Sequence, residues 1–137
     1  AALAGIMMAV QGVINSALGE KLGVGTTNFI VHSTAAIILL FYLIFSYQQL
    51  DFKKFKEVPW YLYLGGLIGI IITYGVIMSI SNLGAGIATA VIVTAQLFTA
   101  SAADHLGIFS LEEVSLTFTK IIGILLIGIG AGLLLNS

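Results

Sequence analysis

The chain has 137 residues, 59% of them hydrophobic and only 8% charged, with 16 glycines, one proline and a formal net charge of -1. A water-soluble core of this length does not require that balance, so the chain reads as an all-α membrane protein whose solvent is the lipid bilayer. With no basic tail or acidic block, nucleic acid is not an expected partner; with no cysteine and two histidines far apart, neither a metal site nor a cofactor is expected.

A helix needs about 20 apolar residues to cross the hydrocarbon. Five runs meet that need, at roughly Leu3 to Leu18, Asn28 to Tyr47, Tyr61 to Ser81, Ala85 to Ala103 and Thr119 to Leu135. The first run lacks a basic leading segment and is read as a true span, not a signal peptide. Between the first two runs, GEKLGVGTT mixes Glu20 and Lys21 with glycines, which is turn chemistry. The next interruption, QQLDFKKFKEVPW, holds most of the charge and closes on Pro59, suited to the first turn of a helix; Trp60, Tyr61 and Tyr63 follow as an interfacial aromatic belt. SNLGAG is short enough to join the third and fourth helices as an antiparallel hairpin. Ser110 followed by Glu113 matches a capping box, which would start the last helix before it enters the membrane. No linker or low-complexity segment interrupts the chain, so residues 1–137 are expected to form a single five-helix domain.

Short cytoplasmic loops accumulate positive charge. Lys53, Lys54, Lys56 and Lys120 would share one side of the membrane and Lys21 the other, which places the N-terminus inside and the C-terminus outside, with mixed orientation as the alternative. The odd number of spans matters more. An odd-span unit paired with an upside-down copy gives the inverted repeat from which alternating-access carriers are built, so function is expected to require a dimer.

Lipid supplies no hydrophobic drive between helices, so small residues that let backbones approach become the packing signal. Gly5, Ala9, Gly12, Ser16 and Gly19 fall on one face of the first helix. Gly65 and Gly69 in the third helix and Gly128 and Gly132 in the fifth have GxxxG spacing, and the fourth offers Gly86 and Ala90.

Polar residues inside the spans are the informative exceptions. Gln11 and Asn15 lie one turn apart near the middle of the first helix, and Gln96 near the middle of the fourth. An unpaired amide in hydrocarbon costs on the order of several kcal/mol, so these groups must face protein or water. Thr73 and Tyr74 lie mid-span in the third helix, and His32, Ser33 and Thr34 about a turn inside the second. Together they could line a central solvated cavity, with Gln11, Asn15 and Gln96 as hydrogen-bonding groups for cargo and Tyr74 and Trp60 as walls. Ser33, Thr34 and Thr73 can equally serve as ties between helices. His32 is the one titratable side chain clearly inside a span, and imidazole changes charge near neutral pH, which makes it a candidate for proton coupling. Asp104 and His105 read as a solvated pair ending the fourth helix. No Asp, Glu, Lys or Arg sits at mid-depth, which disfavours a cation exchanger built on a buried carboxylate. No nucleophile and base pair and no phosphate-cradling loop points to an enzyme.

In sequence order, Gln11-Gly12 with Asn15, Leu18 and Gly23, then Ser33, then Trp60 with Leu64-Gly65-Gly66-Leu67-Ile68-Gly69, Leu83-Gly84-Ala85, Ala95-Gln96-Leu97, Asp104-His105-Leu106-Gly107 and Lys120 with Gly123 and Gly128 make up an end-to-end pattern. On that pattern the chain resembles the short YdcZ-like branch of the drug/metabolite transporter (DMT) superfamily. Thr34, where the branch usually has an aromatic, and Asn82, where it often has a proline, depart from it. The resemblance implies a DMT-like five-helix bundle, half of an inverted-repeat transporter. It would work in the bacterial cytoplasmic (inner) membrane as an antiparallel homodimer, or as a heterodimer with an oppositely oriented sister chain. It also implies that Gln11, Asn15, Ser33 and Gln96 line the path. The expectation is a secondary transporter exporting a small polar metabolite; the alternative is a noncatalytic structural subunit of a larger membrane complex.

Overall fold

A computed structural model describes residues 1–46, 52–107 and 114–136. Among these residues all regular structure is helical: α1 (Ala2–Leu22), α2 (Val24–Phe45), the short α3 (Phe52–Glu57), a 3-10 helix (Trp60–Leu64) continuing into α4 (Gly65–Leu83), α5 (Ala85–Leu106) and α6 (Phe118–Leu135). Five segments are long and apolar enough to cross a membrane: α1, α2, Trp60–Leu83, α5 and α6. Two compact units divide the chain, Ala1–Ser81 and Asn82–Ser137.

The first connection differs from the turn expected over GEKLGVGTT. Helix α1 runs on through Glu20 and Lys21, and a single residue, Gly23 at φ 83° and ψ 149°, separates it from α2. That residue closes one helix and opens the next. Its N–H donates to the Gly19 carbonyl (2.9 Å) and its own carbonyl accepts from the Thr27 N–H (3.1 Å). Positive φ with extended ψ is essentially a glycine-only conformation. Gly84 repeats the device between α4 and α5 at φ 78° and ψ 158°, its carbonyl accepting from the Ala88 N–H at 3.1 Å. Both joints carry the pattern Leu-Gly-x-Gly, at Leu22–Gly25 and Leu83–Gly86. The consequence at the first joint is that Thr26 and Thr27 belong to the opening turn of α2, not to a loop, ahead of Asn28, where the second span was expected to begin.

The other boundaries also have local causes. Pro59 (φ -55°, ψ 135°) starts a tight 3-10 turn, closed by Leu62 N–H to the Pro59 carbonyl at 3.0 Å, so α-helical geometry begins only at Gly65. The Tyr63 hydroxyl donates to the Phe55 carbonyl at 2.9 Å and the two rings stack 6.4 Å apart, which ties α3 to the start of the third span. Ser110 and Glu113, the expected capping box, lie outside the described residues. Val114 to Thr117 are not helical, so α6 does not begin early; it begins at Phe118, capped by Thr117, whose Oγ1 accepts from the Lys120 N–H at 3.4 Å.

In the first unit α1, α2 and α4 meet through small and polar residues. A Cβ on Gly19 would stand 2.9 Å from Ile77 Cγ2 and 4.0 Å from Thr27 Oγ1, and one on Gly12 would stand 2.7 Å from Ile80 Cδ1. The hydroxyls of Ser16 and Ser81 share a 2.9 Å hydrogen bond. Buried polar residues here (Asn15, Ser16, Thr27 and Asn28) outnumber the one buried hydrophobic residue, Ile77. This is how helices associate where the surroundings are as apolar as leucine. In the second unit α5 packs along α6, and a Cβ on Gly128 would lie 3.6 Å from Thr94 Cγ2.

The small-residue stripes are therefore used in part. Gly12 and Gly19 of α1, Gly69 of α4 and Gly128 of α6 meet a neighbouring side chain, whereas Gly5, Gly65, Gly86 and Gly132 have nothing within 4 Å of a built Cβ. Close contact forms where helices cross, and the ends of a stripe splay away.

Gly19→Ala is expected to lower thermal stability in detergent more than Gly12→Ala does. Ile77 Cγ2, at 2.9 Å, sits on a stiff β-branch; at Gly12 the nearest atom, Ile80 Cδ1, is the free end of a flexible chain, and the β-branched Val76 Cγ1 stands farther off at 3.2 Å. Gly23→Ala should cost about 1–3 kcal/mol through backbone strain alone. Gly5→Ala should be silent, and an equal loss at Gly5 and Gly19 would contradict this packing.

Candidate functional site

The polar face of α2 begins where the sequence reading placed a loop. Thr27 is fully buried, Asn28 is 6% exposed, and His32 and Ser33 follow one turn later, so Asn28 and His32 share a face at i, i+4 spacing. The Asn28 side-chain amide donates from Nδ2 to the carbonyl oxygen of Ile70 on α4 at 2.8 Å. A carbonyl can only accept, so this bond fixes the amide's orientation and turns Oδ1 away from Ile70. Beside it the His32 ring packs on α4, with Cε1 3.6 Å from where a Cβ on Gly69 would stand. A methyl group at position 69 would rest against the imidazole in ordinary van der Waals contact.

Among the described residues three buried polar atoms of α2 have no partner: Thr27 Oγ1, Asn28 Oδ1 and His32 Nε2. Each such atom ordinarily costs about 1–3 kcal/mol, and in a native protein it calls for a ligand, a water or a functional reason. Thr27 lies toward Gly19 of α1, whereas Asn28 and His32 belong to a groove of about 540 Å³ between α2 and α4, lined by Asn28, Phe29, His32 and Ser33 on one side and Ile70 and Tyr74 on the other. The groove is largely apolar with a few polar groups converging on it, as small-molecule sites generally are.

A somewhat larger cavity, about 630 Å³, lies between α5 and α6. Its lining offers one polar side chain, Thr94, whose hydroxyl is already satisfied by the Ala90 carbonyl at 2.8 Å. It has apolar shape without chemistry, and the smaller α2–α4 groove is the better candidate.

Of the residues expected at the site, the groove gathers His32, Ser33 and Tyr74. Asn15 is buried at 7% exposure but does not line the groove, and among the described residues its side chain makes no hydrogen bond. Gln11 on α1 and Gln96 on α5 are exposed and line neither cavity. Thr34 is exposed, Trp60 is 74% exposed at the start of the third span, and neither borders the groove. Asp104 and His105 close α5, where the Asp104 backbone carbonyl accepts from the Gly107 and Val114 N–H groups. Their place is a helix end.

The groove residue the sequence reading passed over is Asn28, which it set as the first residue of the second span. The Asn28/His32 pair has the same i, i+4 spacing that drew notice to Gln11 and Asn15, but with GEKLGVGTT read as a turn, Asn28 stood at the edge of the span rather than inside it.

A model of the family described as "Putative inner membrane exporter, YdcZ" matches residues 1–133, nearly the whole chain. The chain belongs to the DMT_YdcZ family. It is thus a multi-pass membrane protein of a transporter family, and the helices described above agree with that membership. No curated protein and no solved structure matches it.

Single cysteines at Ser33 and Tyr74, introduced into a chain that has none of its own, should react with a water-soluble maleimide at comparable rates in membranes. A cysteine replacing buried Asn15 should react about tenfold more slowly, as expected for a site that opens only transiently. Equal labelling at all three positions would contradict a groove confined to α2 and α4.

Proposed function

We propose that this chain is one protomer of a secondary transporter that exports a small polar metabolite across the inner membrane by alternating access, working as an antiparallel dimer with itself or with an oppositely oriented sister chain. The observation that carries the reading is the pair of unpartnered polar atoms, Asn28 Oδ1 and His32 Nε2, on α2 residues that line a groove of ligand size, in a member of a family described as an exporter. In this reading Asn28, Ser33 and Tyr74 contact cargo, Asn15 supports the path from α1, and His32 couples transport to protons by taking up a proton only when cargo has left, so that the loaded groove holds a neutral imidazole. The five helices act as one functional domain, with the N-terminus inside and the C-terminus outside in one protomer of each pair.

The two exposed glutamines support a partner. Gln11 lies near the middle of α1 and Gln96 near the middle of α5, depths at which lipid cannot satisfy an amide. A second protomer, or water in a path between protomers, would supply what lipid does not.

Proteoliposomes loaded with a bacterial metabolite extract should lose one or a few solutes under an imposed proton gradient, read by mass spectrometry. The double substitution Gln11→Leu with Gln96→Leu should cut that flux by about tenfold or more, the size expected from losing two hydrogen bonds of roughly 1 kcal/mol each, while the purified dimer persists. Undiminished flux in the double variant would remove both glutamines from the path. No flux from the unaltered protein under either gradient direction would favour a structural subunit.

A further inference from the structure

The groove's chemistry restricts what can occupy it. All eleven fixed charges of the chain lie at or before Lys21, between Asp51 and Glu57, or from Asp104 to Lys120. No Asp, Glu, Lys or Arg occurs in residues 22–50 or 58–103, the stretches that contribute α2 and α4, and none lines the groove. A second copy of the chain would bring no such residue at mid-span either. An ion entering a site without a counter-charge loses its hydration without compensation, a penalty far larger than the few hydrogen bonds available here can offset.

The polar groups that are present set the complementary demand. Because the Ile70 carbonyl fixes Nδ2, Asn28 Oδ1 is a permanent acceptor without a donor, buried at the groove's wall. The His32 Nε2 atom, one turn away on the same face, is also without a partner. Phe29, Ile70 and Tyr74 supply apolar and aromatic surface around them. We infer that the cargo is a molecule without net charge that carries an N–H or O–H donor for Asn28 Oδ1 beside an apolar or aromatic body packed between Phe29 and Tyr74. This rests on the transport reading above and narrows it, since permanent cations and carboxylate anions are rejected by desolvation.

Benzamide, benzamidinium and benzoate test the inference, because they share one ring and nearly one shape and differ in charge. The reporter is Ala36→Cys, which lines the groove without removing any of its polar groups. In proteoliposomes benzamide should slow maleimide labelling of this cysteine about fivefold, the effect of one hydrogen bond. Benzamidinium and benzoate at the same concentration should not, and Asn28→Leu in the same background should abolish protection by benzamide. Protection by benzamidinium or benzoate equal to or stronger than that by benzamide would overturn the inference and leave the transport reading in place, as would protection by none of the three. A cysteine that does not label at all, in protein shown to be folded by its thermal transition, would overturn both. If Asn28→Leu does not fold, the comparison of the three probes on the Ala36→Cys protein alone decides.

Discussion

In hydrocarbon no water stands ready to bond a polar group, and that constraint organises this protein. Helix accounts for all regular structure among the described residues, because a helix satisfies its own backbone. The joints obey the same rule. At Gly23 one residue both ends α1 and starts α2 through its own N–H and carbonyl, so neither helix end exposes more backbone than it must. The backbone conformation that permits this is open to glycine alone, and Gly84 reproduces it.

The first unit's core follows from the same constraint. Without a hydrophobic drive between helices, the contacts that hold α1, α2 and α4 are glycine against isoleucine, serine against serine and amide against backbone carbonyl. Such ties are individually weak, roughly 0.6 kcal/mol for an interhelical hydrogen bond, which is compatible with the alternating access proposed above. Against that economy, leaving Asn28 Oδ1 and His32 Nε2 without partners among the described residues is an expense that packing alone does not explain. The polar cargo proposed above would account for it.

Much of the fold was legible because hydrophobic length is a strong signal. All five spans were found, and the last two began within a residue or so of their observed starts. The errors arose where two signals competed. Three glycines and two threonines read as a turn, yet the single conformationally special residue was Gly23, and both threonines, exposed Thr26 and buried Thr27, belong to α2. Pro59 did mark a helix start, but the 3-10 turn after it delayed regular α geometry to Gly65. The site was legible only in part. Counting polar residues within spans drew notice to His32, Ser33 and Tyr74, which line the candidate groove; it passed over Asn28, set as the first residue of the second span, because its burial depends on α4. Nor could it show that Gln11 and Asn15, on one face of α1, would differ so much in exposure.

The central claim is that the polar face of α2 borders a space that water or a polar cargo enters, not a dry packing seam. The chain contains two histidines, His32 on that face and His105 at the exposed end of α5, so one isotope label provides both a probe and an internal reference. Solid-state NMR of protein labelled at the imidazole nitrogens, in lipid bilayers, reports magnetisation passing from water to each ring. The account predicts transfer to His32 at a rate approaching that of His105; transfer to His105 alone, with His32 receiving only from lipid chains, would contradict it.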